Sequence, residues 1–241
     1  RNYSPAYERA VAEFGSMDVS SVTAKDVEKY INQFAKTRAK KTVITQRQII
    51  RQILNKAQRE GYIAYNPADA VLLPKNLPQK RRHAPGADQI ARIKAGVTED
   101  FGLFAFLIYY TGCRRGEALA LRYEDIDRTA KKIRINKSAY YIGAQPNIKT
   151  PKTEAGDRVV PLLSALEKAL PEKKHGYIFS DDGGKSPMMD HRVTKAYAAY
   201  QAAAGVTVSP HEIRHGYATA LHDAGVDYKT AQQLLGHAQL S

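Results

Sequence analysis

Apolar residues recur at helical spacing through the first third of the chain, and strict alternation takes over only near its middle. Tyr7 to Phe14 reads as a short amphipathic segment. Thr23 is placed to cap a helix over Ala24 to Ala35, with Val27, Tyr30, Ile31 and Phe34 on one stripe. Thr42 to Arg59 repeats the pattern through Val43, Ile49, Ile50, Ile53 and Leu54, and Gly61 follows as a stop. Asn66-Pro67 ends this helical region.

After a break, Ala87 to Ala95 and Phe101 to Tyr110 read as helices, the second apolar all round and therefore buried. A Gly-bearing turn then leads to a new helix near Arg114, with Leu119 and Leu121 inward. Lys131 to Tyr141 and Asp157 to Leu162 alternate like strands, joined through a loop carrying Lys152. Tyr177-Ile-Phe reads as a short strand, and Met189 to Ala204 as a helix with Val193, Ala196 and Tyr197 inward, closed by Gly205. The fold class predicted is mainly α with a small antiparallel β-sheet. A helical domain over 1–72 is joined by a basic linker over 73–86 to a mixed α+β domain over 87–241.

Charge narrows the partners. Lys and Arg number 37 against 24 Asp and Glu, a net +13, which suits a polyanion, and nucleic acid is the commonest one. Hydrophobic residues make up 43% of the chain, enough for real cores, so a disordered basic tail is excluded. The apolar run from Phe101 to Tyr110 is far short of the ~20 residues a membrane span requires. Neither a membrane partner nor a signal peptide is indicated. The single cysteine, Cys113, rules out an internal disulfide and fits a reducing cytoplasm. Arg47, Arg51, Lys56 and Arg59 line the outer face of the third helix, where phosphate contacts would be made. The linker holds Lys75, Lys80, Arg81, Arg82 and His83 among three prolines, Pro74, Pro78 and Pro85; a semi-extended basic stretch of this kind can lie along a nucleic-acid backbone.

The chemistry concentrates in two places. In Ser209-Pro-His-Glu-Ile-Arg-His-Gly, Ser209 is placed as an N-cap with Pro210 at the first helical position, and His211 and Arg214 fall in the first turn. Orphan N–H groups and the helix dipole favour an anion there. The helix would run to about Asp223 and stop at Gly225. Asp227 would cap a second one, Tyr228 to Leu235, closed by Gly236 in a left-handed turn with His237 just beyond. Upstream, Arg114 stands at a turn between buried helices. There a guanidinium is poorly hydrated unless it serves an anion, and Glu117, three residues on, can hold it. A structural ion pair would satisfy the same two residues. His211-Glu-Ile-Arg-His215 also matches H-E-x-x-H, two zinc ligands and a base on one helix. The extended form of that motif needs Gly at 218 and His at 221, where this chain has Ala218 and Leu221, and no glutamate follows Glu212. His222, Asp223 and Asp227 are what would remain as a third ligand, and a guanidinium inside the motif opposes a dication.

Four stretches in order, Thr111 to Glu117 (T-G-x-R-x-x-E), Pro151 to Gly156 (P-K-T-x-x-G), His211 to His215 (H-x-x-R-H) and Leu234 to His237 (L-L-G-H), resemble the tyrosine recombinases. The likeness is to the integrases of phages and conjugative elements, and it covers most of the chain. It implies a site-specific enzyme that cuts and rejoins DNA strands through a 3′-phosphotyrosine, with no cofactor and no metal. Arg114 and Arg214 would bind the scissile phosphate and Lys152 would protonate the 5′-oxygen leaving group. His211 would assist proton transfer at the nucleophile, and His237 would donate to a non-bridging oxygen. Glu117 and His215 would be supporting residues. Phosphoryl transfer of this type is mostly positioning and charge stabilisation, which two guanidiniums and an ammonium can supply.

The resemblance also implies double-stranded DNA as partner, held between two lobes, and a homotetramer assembled on it. It leaves room for a monomer when free and for accessory DNA-bending proteins, and it places the protein in the cytoplasm of a bacterial or phage-infected cell. The family's nucleophile lies a few residues beyond the L-L-G-H stretch, whereas the last tyrosine here is Tyr228 and four residues follow His237. The expectation is a chain cut short before that tyrosine, able to bind DNA and not to cleave it. A type IB topoisomerase and a non-enzymatic basic DNA binder remain as other readings of the same residues.

Overall fold

The computed structural model describes residues 3–79, 83–151 and 156–236. The chain divides into two compact units, residues 1–81 and 82–241.

The first unit is helical: α1 (Ser4–Phe14), α2 (Ala24–Ala35) and α3 (Lys40–Arg59), followed by a short 3-10 turn at Pro67–Asp69. Thr23 caps α2 in a reciprocal box, accepting from the Asp26 N–H at 3.3 Å while the Asp26 carboxylate accepts the Thr23 N–H at 3.0 Å. Val27, Ile31 and Ala35 then face Val43, Ile50 and Leu54 of α3 in one core with Ala10, Ala68 and Val71. Buried Gln46 is satisfied by donating to the Ala6 carbonyl and accepting from Arg9. Leu73 and Leu77 pack against this core and the Lys40 N–H donates to the Pro78 carbonyl. Part of the segment read from its prolines and cations as linker therefore lies on the first unit.

The second unit begins with α4 (Ala87–Ala95), the buried α5 (Gly102–Thr111) and the short α6 (Arg115–Ala120). Strands β1 (Ile126–Asp127), β2 (Lys132–Ile135), β3 (Ser138–Ile142), β4 (Gln145–Lys149) and β5 (Arg158–Pro161) follow. Helices α7 (Ser164–Ala169), α8 (Asp190–Ala204), α9 (Pro210–Asp223) and α10 (Tyr228–Leu235) complete the described part. The stretch predicted as one strand from Lys131 to Tyr141 is two. β2 lies between β1 and β5 in an antiparallel sheet, and β3 turns away to pair with β4 in a separate hairpin. Alternation continues across the join at Asn136 and Lys137, so side-chain period alone does not reveal the change of sheet. Tyr177 makes only an isolated bridge to Arg122 rather than a strand.

α5, whose Phe104, Ala105, Leu107 and Ile108 are fully or almost fully enclosed, forms the centre of the second core. Phe104 meets Phe179 edge-on at 5.1 Å and Tyr197 at 6.0 Å, tying α5 to the loop before α8 and to α8 itself. Because α5 is rigidly enclosed, the turn that leaves it is held in a fixed place. That turn carries Gly112, Cys113 and Arg114.

Candidate active site

Gly112 ends α5 in the left-handed conformation, φ +63°, which glycine adopts without strain. A Cβ at this position would also lie 2.3 Å from the Tyr217 ring of α9. Gly112→Ala is therefore expected to cost roughly 2–5 kcal/mol from backbone strain and overpacking together, measured by chemical denaturation of the second unit. The tight turn leaves Arg114 at the start of α6 with an extended backbone. Its own N–H donates to the Glu117 carboxylate at 2.9 Å and its guanidinium donates to the other carboxylate oxygen at 2.7 Å.

From the other end of the unit, Ser209 caps α9. Its hydroxyl accepts the Glu212 N–H, and the Glu212 carboxylate accepts the Ser209 N–H at 2.8 Å and hydroxyl at 2.6 Å. The box draws the Glu212 carboxylate to the helix start and so removes it from the general-base role that the zinc motif would give it. Among the described residues no group of three His, Cys, Asp or Glu gathers to hold a metal. Arg214, one turn on, is only 5% exposed. It donates to the Gly112 carbonyl and to the Leu235 carbonyl, each at 2.6 Å, and lies 3.7 Å from the Glu117 carboxylate.

Arginines 114 and 214 therefore flank one carboxylate, and a third joins them. Arg158 of β5 donates to Glu117 at 2.7 Å and to the Leu234 carbonyl at 2.8 Å. Arg114 in turn donates to the Gly236 carbonyl at 3.1 Å. The last three carbonyls of α10 and its cap, at 234, 235 and 236, are each held by a different arginine, from β5, α9 and the α5–α6 turn. Helix C-terminal carbonyls lack intrahelical donors and carry the negative end of the dipole, so they are natural seats for guanidiniums. Asp227 caps the start of α10 by accepting the Thr230 N–H, and Gly236 closes its end at φ +64°.

Three guanidiniums against one carboxylate leave a surplus of two positive charges in a nearly enclosed place. Burial pulls the Glu117 carboxyl upward, but hydrogen bonds and charge from Arg158 and Arg114 outweigh this and hold it below the usual carboxylate range. Burial, followed by repulsion from Arg114, brings Arg214 down to about 10 against the partial relief from Glu117. It remains charged at neutral pH. An anion supplied from outside would relieve that repulsion. Arg114, whose side chain is 46% exposed, marks the side on which the cluster opens to solvent. Cys113 beside it is fully enclosed, its thiol pushed up to about 11 by burial, and it is a packing residue.

The two α9 histidines lie apart from this buried group. His211 and His215 are exposed and face each other, with Nε2 atoms 3.2 Å apart and rings 4.6 Å apart. Lys152 and His237 lie outside the described residues, as do Lys80, Arg81 and Arg82. On α3 the predicted basic face divides. Arg47 and Arg51 lie one turn apart on one side, while Lys56 is nine residues from Arg47, about half a turn round the axis. Arg51 pairs with Asp69 and Lys56 with Glu60, and Arg59 is exposed. Arg115, partly exposed, donates to Asp190 of α8 at 2.6 Å.

Arg158 is the site residue that the motifs do not mark. Its signal is parity. Val160 and Leu162 face inward and Val159 outward, so Arg158, two residues before Val160, shares the inward parity. A buried strand arginine requires an anion or a carbonyl to receive it.

Residues 87–241 match the phage integrase family. A XerC-like tyrosine recombinase of Caldanaerobacter subterraneus is 28% identical over 95% of this chain and 68% of its own length. The tyrosine recombinase XerC of Pelobacter propionicus is 27% identical over the whole chain and 84% of its own. Among solved structures, the Tn1549 transposon integrase in complex with transposon right end DNA superposes with a TM-score of 0.76 at 20% identity, covering 99% of this chain and 86% of that one. A lambda integrase dimer bound to a core site gives 0.72 at 19%, covering 98% and 86%. Fold and family together define a tyrosine recombinase. The chain belongs to the phage integrase family.

Proposed function

We propose that the protein is a site-specific recombinase that binds duplex DNA, assembles on it as a tetramer and exchanges strands inside a bacterial cell. The observation that carries this reading is the convergence of Arg114 and Arg214, from distant parts of the chain, on Glu117, with positive charge in surplus beside them. In the reaction proposed, a tyrosine oxygen attacks the phosphorus, with His211 taking its proton. The bond to the 5′-oxygen breaks and Lys152 supplies the proton that the departing oxygen needs. Arg114, Arg214 and His237 hold the non-bridging oxygens while negative charge builds on them. Rejoining runs the same steps backwards. Glu117 orients the arginines, and His215 supports His211 from one turn away. Arg47, Arg51, Lys56, Arg59 and the basic stretch Lys80, Arg81 and Arg82 contribute backbone contacts that carry no sequence information.

The family's pattern sets the nucleophile beyond the L-L-G-H stretch, and no tyrosine lies between His237 and Ser241. The 241 residues are thus expected to bind DNA without cleaving it. The test uses nicked duplexes tiled across the DNA flanking the protein's own coding region. These are incubated with the 241-residue chain and with the chain extended through the residues encoded after Ser241. A denaturant-resistant adduct at a 3′-phosphate with the extended chain alone is the expected result. Binding by both forms without an adduct in either would leave a DNA-binding protein that is not an enzyme. Relaxation of supercoils lacking any preferred site would indicate a topoisomerase instead. Binding should also weaken steeply with salt. If six to ten phosphates are contacted, affinity is expected to fall by about 10³–10⁵ between 50 and 200 mM salt, read as the slope of log K against log salt.

A further inference from the structure

We propose that Arg158 is a positioning residue of the phosphate site, a third arginine that holds Glu117 and the end of α10 in register for Arg114 and Arg214. The inference rests on the recombinase reading above and deepens it. No motif assigns Arg158 a part, yet it touches both elements on which the other two arginines depend. One nitrogen donates to the Glu117 oxygen that also faces Arg214, and Nε donates to the Leu234 carbonyl, one residue before the carbonyl that Arg214 uses and two before the one that Arg114 uses. Only a planar fork can hold a carboxylate and a carbonyl from separate elements at once, because its donors diverge at fixed angles.

Folding stability alone does not account for the residue. Its side chain is 5% exposed, and its remaining terminal nitrogen has no hydrogen-bond partner among the described residues. A buried donor left unmet costs stability, which offsets part of what the Glu117 and Leu234 contacts contribute. The strand around it is otherwise an ordinary inward-outward repeat, with Val160 enclosed and Val159 exposed. An arginine kept at such a cost is explained by what it orients. With Arg158 in place, the Glu117 carboxylate is held from two sides, by Arg114 and by Arg158. The last turn of α10 cannot rotate without breaking the Leu234 contact. Remove it, and Glu117 is held by Arg114 and the more distant Arg214 alone, while the end of α10 loses the contact that fixes the carbonyls at 235 and 236.

The experiment compares the extended wild-type chain with R158M and R158K on nicked duplexes, measuring the rate of covalent adduct formation. Each is run on an ordinary scissile phosphate and on a methylphosphonate at the same position, in which a methyl group replaces one charged oxygen. Misplaced arginines matter only where there is charge to stabilise. Both variants are therefore expected to lose about 10²–10³-fold in rate on the phosphate and less than about tenfold on the methylphosphonate. R158M is expected to melt lower, because one partner of a buried pair is gone, so rates are compared well below its Tm; if it does not fold, R158K is read on the same pair of substrates. Equal losses on the two substrates would mean a merely structural residue, and rates within about threefold of wild type on the phosphate would mean no part at all. Either result overturns the proposal. A wild-type chain that forms no adduct would instead overturn the recombinase reading, and the proposal with it.

Discussion

Replacing Arg214 with alanine is expected to slow strand cleavage by about 10³-fold or more while duplex affinity stays within about tenfold of wild type. The large effect follows from where the guanidinium sits. It is almost fully enclosed and is fixed by the Gly112 and Leu235 carbonyls before any phosphate arrives. A donor held ready in a place shielded from water stabilises developing charge far better than one that must reorganise. The small effect on binding follows from the spread of basic residues along the chain, since each backbone contact carries a modest share of the affinity. Arg214→Lys should recover little, because one ammonium cannot reach both carbonyls and a phosphate oxygen together. Arg114→Ala should be similarly inactive but milder in its effect on stability, its side chain being half exposed. The check is single-turnover adduct formation by the extended chain beside a gel-shift titration. Cleavage near the wild-type rate in either alanine variant would remove these arginines from the chemistry.

Glu117→Ala should have the largest effect on stability, roughly 3–5 kcal/mol, because it leaves three guanidiniums facing one another with no counter-charge. For a unit of this size that corresponds to a drop in Tm on the order of 10 °C. The pH dependence has a definite sign. Arginine contacts hold the folded-state carboxyl below its ordinary range, so its contribution is present in full above that range and is lost as pH falls through the folded-state value. Wild-type stability should therefore decline more steeply with acid than that of the alanine variant, and the two melting curves should converge at low pH. Glu117→Gln keeps the shape and one acceptor oxygen and should fall between them. Parallel pH profiles for wild type and Glu117→Ala would show that the carboxylate does not carry this contribution.

What could be read from the residues and what could not divides along a physical line. Local backbone chemistry was legible: the Thr23, Ser209 and Asp227 caps and the left-handed turn at Gly236 stand where the residue types place them. So was the enclosed α5, because a helix apolar on every side has no other place to go. Partner choice was not. Nothing in the alternation from Lys131 to Tyr141 says that β2 and β3 belong to different sheets, and β4, with Gln145, Pro146 and Asn147, carries little apolar signal at all. In the site, Arg114, Glu117 and Arg214 were visible because motifs bracket them. The motif spacing also set His211 and Arg214 together in the first turn, whereas Arg214 turns inward and His211 stays exposed beside His215. Burial separates them, and burial depends on α5, which lies a hundred residues away in the chain. Arg158 was not legible because no motif brackets it and the two adjacent valines of its four-residue strand leave the inward parity undecided.

The receivers of the arginines on α10 are main-chain oxygens, and this has a consequence for variation. A carboxylate can be deleted by substitution, whereas a peptide carbonyl persists whatever side chain the residue bears. Outward positions of α10 such as Lys229, Thr230 and Gln233 can accordingly diversify, by evolution or by deliberate randomisation, as long as the helix keeps its length and its closing glycine. The surface that such residues present can then be rewritten while the arginine contacts beneath it are inherited intact.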